Sequence, residues 1–302
     1  MNVTSASDGD VNIHAFAGIV LLTVSPFGVA ANAYVVLSVL RRRKNRSSFL
    51  TLCASKALFN LVTCTVFLFW CTPTAFLHAY FLPPIVGVIL GNVIGGMVYL
   101  GGVITQVLAS VNRLIASFSI HIYNRCCTLR NTLVLVLLCW IGTLALAIVY
   151  SINGVGYIFH EEMLIWQGDG QQRSTDAFAD IGLIVYVSTA TMFILNIITF
   201  ARLIIITKVS QDCLYLVDML FAQVLSGLLP YNWWKFLCFS FVWLSLNTID
   251  GFVMIIFVKD LSEPIRKQIQ RIILYFFPHL RTSSNDLFKR RQSKMLTKAT
   301  SS

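Results

Sequence analysis

Several polar and ionisable side chains stand inside apolar stretches of this chain of 302 residues: Asn32, Lys56, Gln106, Arg113, Asn247 and Asp250. Groups of this kind are expensive in a hydrocarbon environment and mark binding or switching sites by default. A lysine at the depth of Lys56 costs roughly 2.5–3.5 kcal/mol unless it snorkels or pairs. Tyr99, Gln106 and Arg113 are seven apart, so they share a helical face with about 20° of drift per step. Trp243, Asn247 and Asp250 stand at i, i+4 and i+7, again on one face. None of these sets is catalytic. His160-Glu161-Glu162 begins like a zinc-protease motif, but Leu164 occupies the second histidine position. The five histidines are scattered, and no phosphate loop or nucleophile elbow is present. The chemistry left is recognition and switching, with no enzyme activity, no metal and no cofactor expected.

The elements that must carry these groups are long apolar runs. The chain is 57% hydrophobic and 12% charged, with a mean hydropathy of +0.75. That composition excludes an ordinary soluble domain. About 20 apolar residues cross a bilayer core as a helix, and backbone groups in lipid must be satisfied within the segment. Seven spans are predicted: Ala15–Leu40, Phe49–Leu77, Ile85–Ser119, Thr132–Ser151, Ile181–Ile206, Leu214–Leu229 and Phe236–Val258. The fold class is therefore an all-α membrane protein, a seven-transmembrane helix bundle. Residues 1–14 form a short outer segment, 15–258 the bundle, 259–277 a juxtamembrane amphipathic helix and 278–302 a basic, disordered tail. Ser262-Glu-Pro264 reads as the start of that amphipathic helix. Ile265, Ile269, Ile272, Ile273 and Phe276 form its apolar stripe beside Arg266, Lys267 and Arg271, suited to an inner leaflet.

Charge sets the orientation. With the amino terminus outside, twenty of the 23 Lys and Arg residues fall on the inner side, as the positive-inside rule requires. The net charge of +10 thus belongs to a membrane surface, and no nucleic-acid partner is expected. The first residues lack a basic leader, so the first span acts as its own signal. Asn2-Val-Thr4 and Asn45-Arg-Ser47 are both glycosylation sequons, and only Asn2 lies outside in this topology. The eight cysteines fall in helices or on the inner side, so no disulfide framework is legible. Adjacent Cys126 and Cys127 are either acylated near the inner leaflet or two free thiols. Gly87-xxx-Gly91-xxx-Gly95 lets a neighbouring helix approach the third span closely, which predicts packing within the bundle rather than dimerisation.

The order and spacing of several motifs resemble the nematode serpentine chemoreceptors of class X, within the rhodopsin-like G-protein-coupled receptors. The resemblance runs from Pro26 to about Gln270. It rests on Gly28 and Asn32, on Ser48-Phe49 with Leu52-Cys53 and Asn60, and on Pro73. It continues through Asn112-Arg113 with Ala116 and Tyr123, Asn196 with Thr199-Phe200, Gln211-Asp212, and Asp250-Gly251 with Phe257. It implies a plasma-membrane receptor, in sensory cilia, for a small odorant or pheromone. The ligand would sit in the outer half of the bundle near Tyr99, Gln106, Trp243 and Asn247. A heterotrimeric G protein would be met at the inner end by Asn112, Arg113 and Tyr123, with Asp212 restraining Arg113 at rest. Asn32, Lys56 and Asp250 would meet at mid-bundle, Lys56 neutralising Asp250 where related receptors often hold sodium.

Three departures from the family pattern stand out. No proline follows Asn112-Arg113 near Ile120. No cysteine occurs between Ser151 and Asp180 to bridge the second outer loop. Lys208 leads almost directly into Gln211-Asp212, where a longer third inner loop is expected, and Leu214–Leu229 spans only about 24 Å at ~1.5 Å per residue. A truncated, non-signalling receptor therefore remains an alternative. So does a seven-helix ligand-gated channel, which the charge distribution opposes. A small transporter should show paired broken helices, and none is apparent in the sequence.

Overall fold

In the computed structural model, the described residues are 8–42, 47–202, 229 and 231–276. Among them, six helices are long and apolar enough to span a membrane: Ile13–Arg41, Ser48–Leu77, Pro84–Phe118, Leu129–Ile152, Gln172–Thr199 and Asn232–Ile256. The expected sixth span, Leu214–Leu229, lies outside the described residues except for Leu229. The six are therefore spans one to five and seven of a seven-helix membrane bundle. Asn2, Asn45, Lys208, Gln211 and Asp212 also lie outside the described residues, as does the tail beyond Phe276.

Helix starts follow local side-chain chemistry. Ser47 Oγ accepts from the Leu50 amide at 3.2 Å and opens the second span. Thr128 Oγ1 accepts from the Asn131 amide at 3.2 Å and opens the fourth. These are N-caps, satisfying amides that the first turn leaves orphaned. Ser119 does the same for a short helix, Ile120–Cys126, after the third span. The second span contains a π-helical stretch, Phe67–Cys71. There the Thr72 hydroxyl donates to the Phe67 carbonyl at 2.9 Å. Pro73 follows without an amide proton, and a widened turn absorbs the lost donor. Further π-helical stretches cover Val93–Tyr99 and Leu237–Phe241.

Three helix boundaries differ from the sequence expectation. The first helix begins at Asp8 rather than Ala15, within the expected outer segment. The fifth helix begins at Gln172 rather than Ile181. Its first turns carry Arg173, Asp176 and Asp180, so hydropathy cannot see them although they are helical. The amphipathic helix begins at Lys259 rather than Ser262 and contains Pro264 within it. The Leu261 and Ser262 amides both donate to the Val258 carbonyl, at 2.8 and 3.0 Å. This forms a full turn ahead of Pro264, which therefore stands inside the helix rather than at its first position. Within this helix, Lys267 pairs with Glu263 at 2.7 Å, and Ile269, Ile272 and Tyr275 are exposed.

In the unit that runs to Met254, the second and third spans are central, with 61% and 56% of their apolar windows buried. The fourth and fifth bury only 22% each. Leu137, Leu138 and Leu183 stand about 60% exposed, on a surface that suits acyl chains rather than water. The packing between spans is close. Trp140 stacks on Phe59 with centroids 4.0 Å apart and planes 9° from parallel, and its indole donates to Ser55 Oγ at 3.1 Å. Gly101 makes the room, since a Cβ there would stand 2.5 Å from the Phe59 ring.

An element absent from the sequence reading joins the fourth and fifth spans. Strands β1, Tyr157–His160, and β2, Ile165–Gly168, form an antiparallel hairpin with Tyr157 opposite Gly168 and His160 opposite Ile165. Leu164 turns the chain in the left-handed region at φ 55°, and its amide donates to the His160 carbonyl at 2.7 Å.

Candidate ligand cavity and polar layer

The hairpin is bound to the bundle by polar side chains. Asn92, on the third span and 2% exposed, contributes most. Its amide nitrogen donates to the Val155 carbonyl at 2.8 Å and to Ser151 Oγ at 2.9 Å. Its oxygen accepts from the Tyr157 amide at 3.1 Å. Gly91 beside it permits the approach, because a Cβ there would lie 1.6 Å from the Tyr157 carbonyl oxygen. Ser174 accepts from the Gly156 amide at 3.0 Å. The Ser240 hydroxyl of the seventh span donates to the Leu164 carbonyl. Tyr80, between the second and third spans, donates to the Phe159 carbonyl at 2.8 Å. Burial, and then the charge of Glu161, push the Tyr80 phenol above its usual range, so it remains a donor at physiological pH. The expected small-residue run thus receives a loop and a helix: Gly95 faces the Tyr157 ring of the hairpin and Gly87 the Trp70 ring of the second span.

Under the hairpin lies a cavity of about 290 Å³. Tyr157, Trp166, Gln167 and Gly168 come from the hairpin, and Gly95 and Tyr99 from the third span. Phe178, Ile181, Gly182, Val185 and Tyr186 come from the fifth span, and Phe239, Ser240 and Trp243 from the seventh. Tyr99 meets Trp243 edge to face at 5.6 Å, and Tyr157 leans on Phe178 at 4.4 Å. Tyr99 and Trp243, the ligand residues expected from sequence, both line this space. Gln106 and Asn247 do not. At ~1.5 Å per residue they lie about 10 and 6 Å further along their helices.

Asn247 belongs instead to a buried polar layer below the cavity. Its amide donates to the Trp243 carbonyl of its own helix at 2.8 Å. Asn32 donates to the Asn247 carbonyl at 3.1 Å and to the Gly28 carbonyl at 2.9 Å. Gly251 leaves space for this amide, and Gly28 for Cys64 and Thr248. Asp250, 4% exposed, accepts from Asn60 Nδ2 at 2.7 Å. Lys56 is 6% exposed, and its ammonium lies 3.2 Å from where a Cβ on Gly102 of the third span would stand. It therefore points between helices rather than snorkelling to an aqueous edge. Asn60 and Asn92 are the contributors that sequence reasoning passed over. The rule applied to Asn32, that a buried amide in a span needs a partner, flags both.

At the opposite end from the hairpin, Asn112 donates to Ser48 Oγ at 2.9 Å, and Ser48 in turn meets the Tyr123 hydroxyl at 3.1 Å. This ties the third span to the second and to the short helix after it. Arg113 donates to Ser110 Oγ at 3.3 Å, and Asn196 of the fifth span donates to the same oxygen at 3.1 Å. Asn112 therefore spends its amide on the second span while Arg113 faces the fifth.

The comparisons agree with this architecture. No curated protein matches the chain. The crystal structure of squid rhodopsin superposes with a TM-score of 0.67 at 11% identity, covering 87% of each chain. At that identity the likeness speaks for the fold alone. The family model described as "Serpentine type 7TM GPCR chemoreceptor Srx" matches residues 22–211 and 204–257. The chain, a multi-pass membrane protein, therefore belongs to the Srx family of serpentine seven-transmembrane chemoreceptors, which are receptors and not enzymes.

Proposed function

We propose that this protein is a plasma-membrane chemosensory receptor, placed in sensory cilia, with its amino terminus outside. It binds a small odorant or pheromone beneath the hairpin and signals through a heterotrimeric G protein at the Arg113 end. The observation that carries this reading is the aromatic cavity between the hairpin and the third, fifth and seventh spans. The ligand biases the bundle between two helix arrangements only through differential affinity for them. Tyr99 and Trp243 give it a contact to both the third and seventh spans. The Asn32, Asn60 and Asp250 layer meets the seventh span about 10 Å beyond Trp243, between the cavity and the Arg113 end. The test is surface expression followed by an odorant and pheromone screen with cAMP, cGMP and calcium readouts. A ligand response that is lost in Arg113→Ala supports the reading; a response that survives it refutes G-protein coupling through that end.

A second reading is a receptor that has lost its third inner loop and no longer signals. It is favoured by the family match breaking into two segments that overlap at residues 204–211, where Lys208 runs almost directly into Gln211-Asp212. Inserting a longer loop after Lys208 separates the two. Signalling gained only with the insertion supports the second.

A further inference from the structure

We infer that the cavity selects an uncharged, ring-bearing molecule of about ten non-hydrogen atoms carrying a hydrogen-bonding group. This rests on the receptor reading of the same site. Size comes first. A volume of about 290 Å³ is the space of about ten waters at ~30 Å³ each, at the small end for ligand pockets. Charge comes second. None of the described lining residues is Lys, Arg, His, Asp or Glu. An ion entering here would lose its hydration without meeting a counter-ion, a cost that aromatic faces alone do not repay.

Shape comes third. The walls present rings in two groups, Tyr157 with Phe178 on the hairpin side and Tyr99 with Trp243 on the inner side. Aromatic rings pair best with another ring, offset or edge to face, at centroid distances of about 4.5–7 Å. A flat ligand ring meets that geometry on both sides, whereas a flexible alkyl chain loses rotamer freedom and gains only area. Gln167 brings a donor and an acceptor to the wall, enough for one hydroxyl or carbonyl on the ligand. The Ser240 hydroxyl is already spent on Leu164.

The test uses the full chain in lipid nanodiscs and four probes of similar size. These are 2-phenylethanol, phenylacetate, phenyltrimethylammonium and 2-cyclohexylethanol, followed by tryptophan fluorescence and by the thermal unfolding midpoint. The neutral aromatic alcohol should bind at least tenfold more tightly than either ion and more tightly than its saturated analogue. Gly182→Phe should abolish that binding, since Gly182 lines the cavity and a Cβ there meets nothing within 4 Å. Gly142→Phe, on the exposed fourth span and equally unhindered, should leave it intact. An ion bound as tightly as the alcohol overturns the ligand class. So does alcohol binding that survives Gly182→Phe, or no binding of the alcohol at its solubility limit. Binding with this selectivity in a receptor that never activates a G protein supports the ligand class and removes only the signalling reading.

Discussion

Replacing Asn92 with alanine should release the hairpin while leaving the bundle folded. Three hydrogen bonds are lost, to Ser151, Val155 and Tyr157. At about 1 kcal/mol net each they sum to about 3 kcal/mol. Each 1.4 kcal/mol is tenfold in an equilibrium, so the open fraction of the hairpin should rise about 100-fold. Amide hydrogen exchange in nanodiscs reads this directly, as faster labelling of a peptide covering residues 155–168 against unchanged labelling of the second and third spans. Asn153→Ala is the matched control. Asn153 is exposed and bonds only within its own helix, to Val149 at 2.9 Å, so the hairpin should stay protected. Dithiothreitol should also change nothing, because the segment between Ser151 and Asp180 contains no cysteine. Hairpin protection falling less than tenfold in Asn92→Ala would refute the idea that this amide is the main latch.

The other expectations are shorter. Gly91→Ala should disturb the hairpin at least as much as Asn92→Ala, since its Cβ would overlap the Tyr157 carbonyl; equal hydrogen exchange in mutant and parent would count against the close approach. Lys56→Ala and Asp250→Ala should each lower surface expression, with losses on the order of 3–5 kcal/mol if they form a buried pair. The double mutant should recover part of the loss; strictly additive losses would mean the two do not compensate each other. Asn2→Gln should remove any glycan and Asn45→Gln none, measured by mobility shift, and a glycan on Asn45 would invert the proposed orientation. Asp212→Asn should raise basal signalling by weakening an exposed restraint on Arg113 worth about 0–1 kcal/mol; unchanged basal activity would leave Asp212 as only a helix start.

Much of the bundle was legible because one physical variable, transfer to hydrocarbon, dominates it. The first four spans and the seventh lie within a few residues of their expected bounds. Hydropathy failed where helix continued without lipid, at Gln172–Asp180, and where structure was too short for periodicity, in the four-residue strands of the hairpin. The candidate site was half legible. Tyr99 and Trp243 line the cavity, because helical phase finds a face. Gln106 and Asn247 share those faces but lie deeper, because phase carries no information about where along a face a cavity ends. The partners of Asn92 and Asp250 could not be read at all, since they depend on contacts between segments far apart in the chain.

The polar latch also sets a clock. The three Asn92 bonds, about 3 kcal/mol together, lower the open fraction of the hairpin about 100-fold. Where ligand passes only through the open form, arrival and departure both slow by about that factor while affinity is unchanged. How long a stimulus persists would then be governed by Asn92 and Ser240 as much as by the rings that touch the ligand. A variant with a looser hairpin would respond faster and forget sooner at the same dissociation constant.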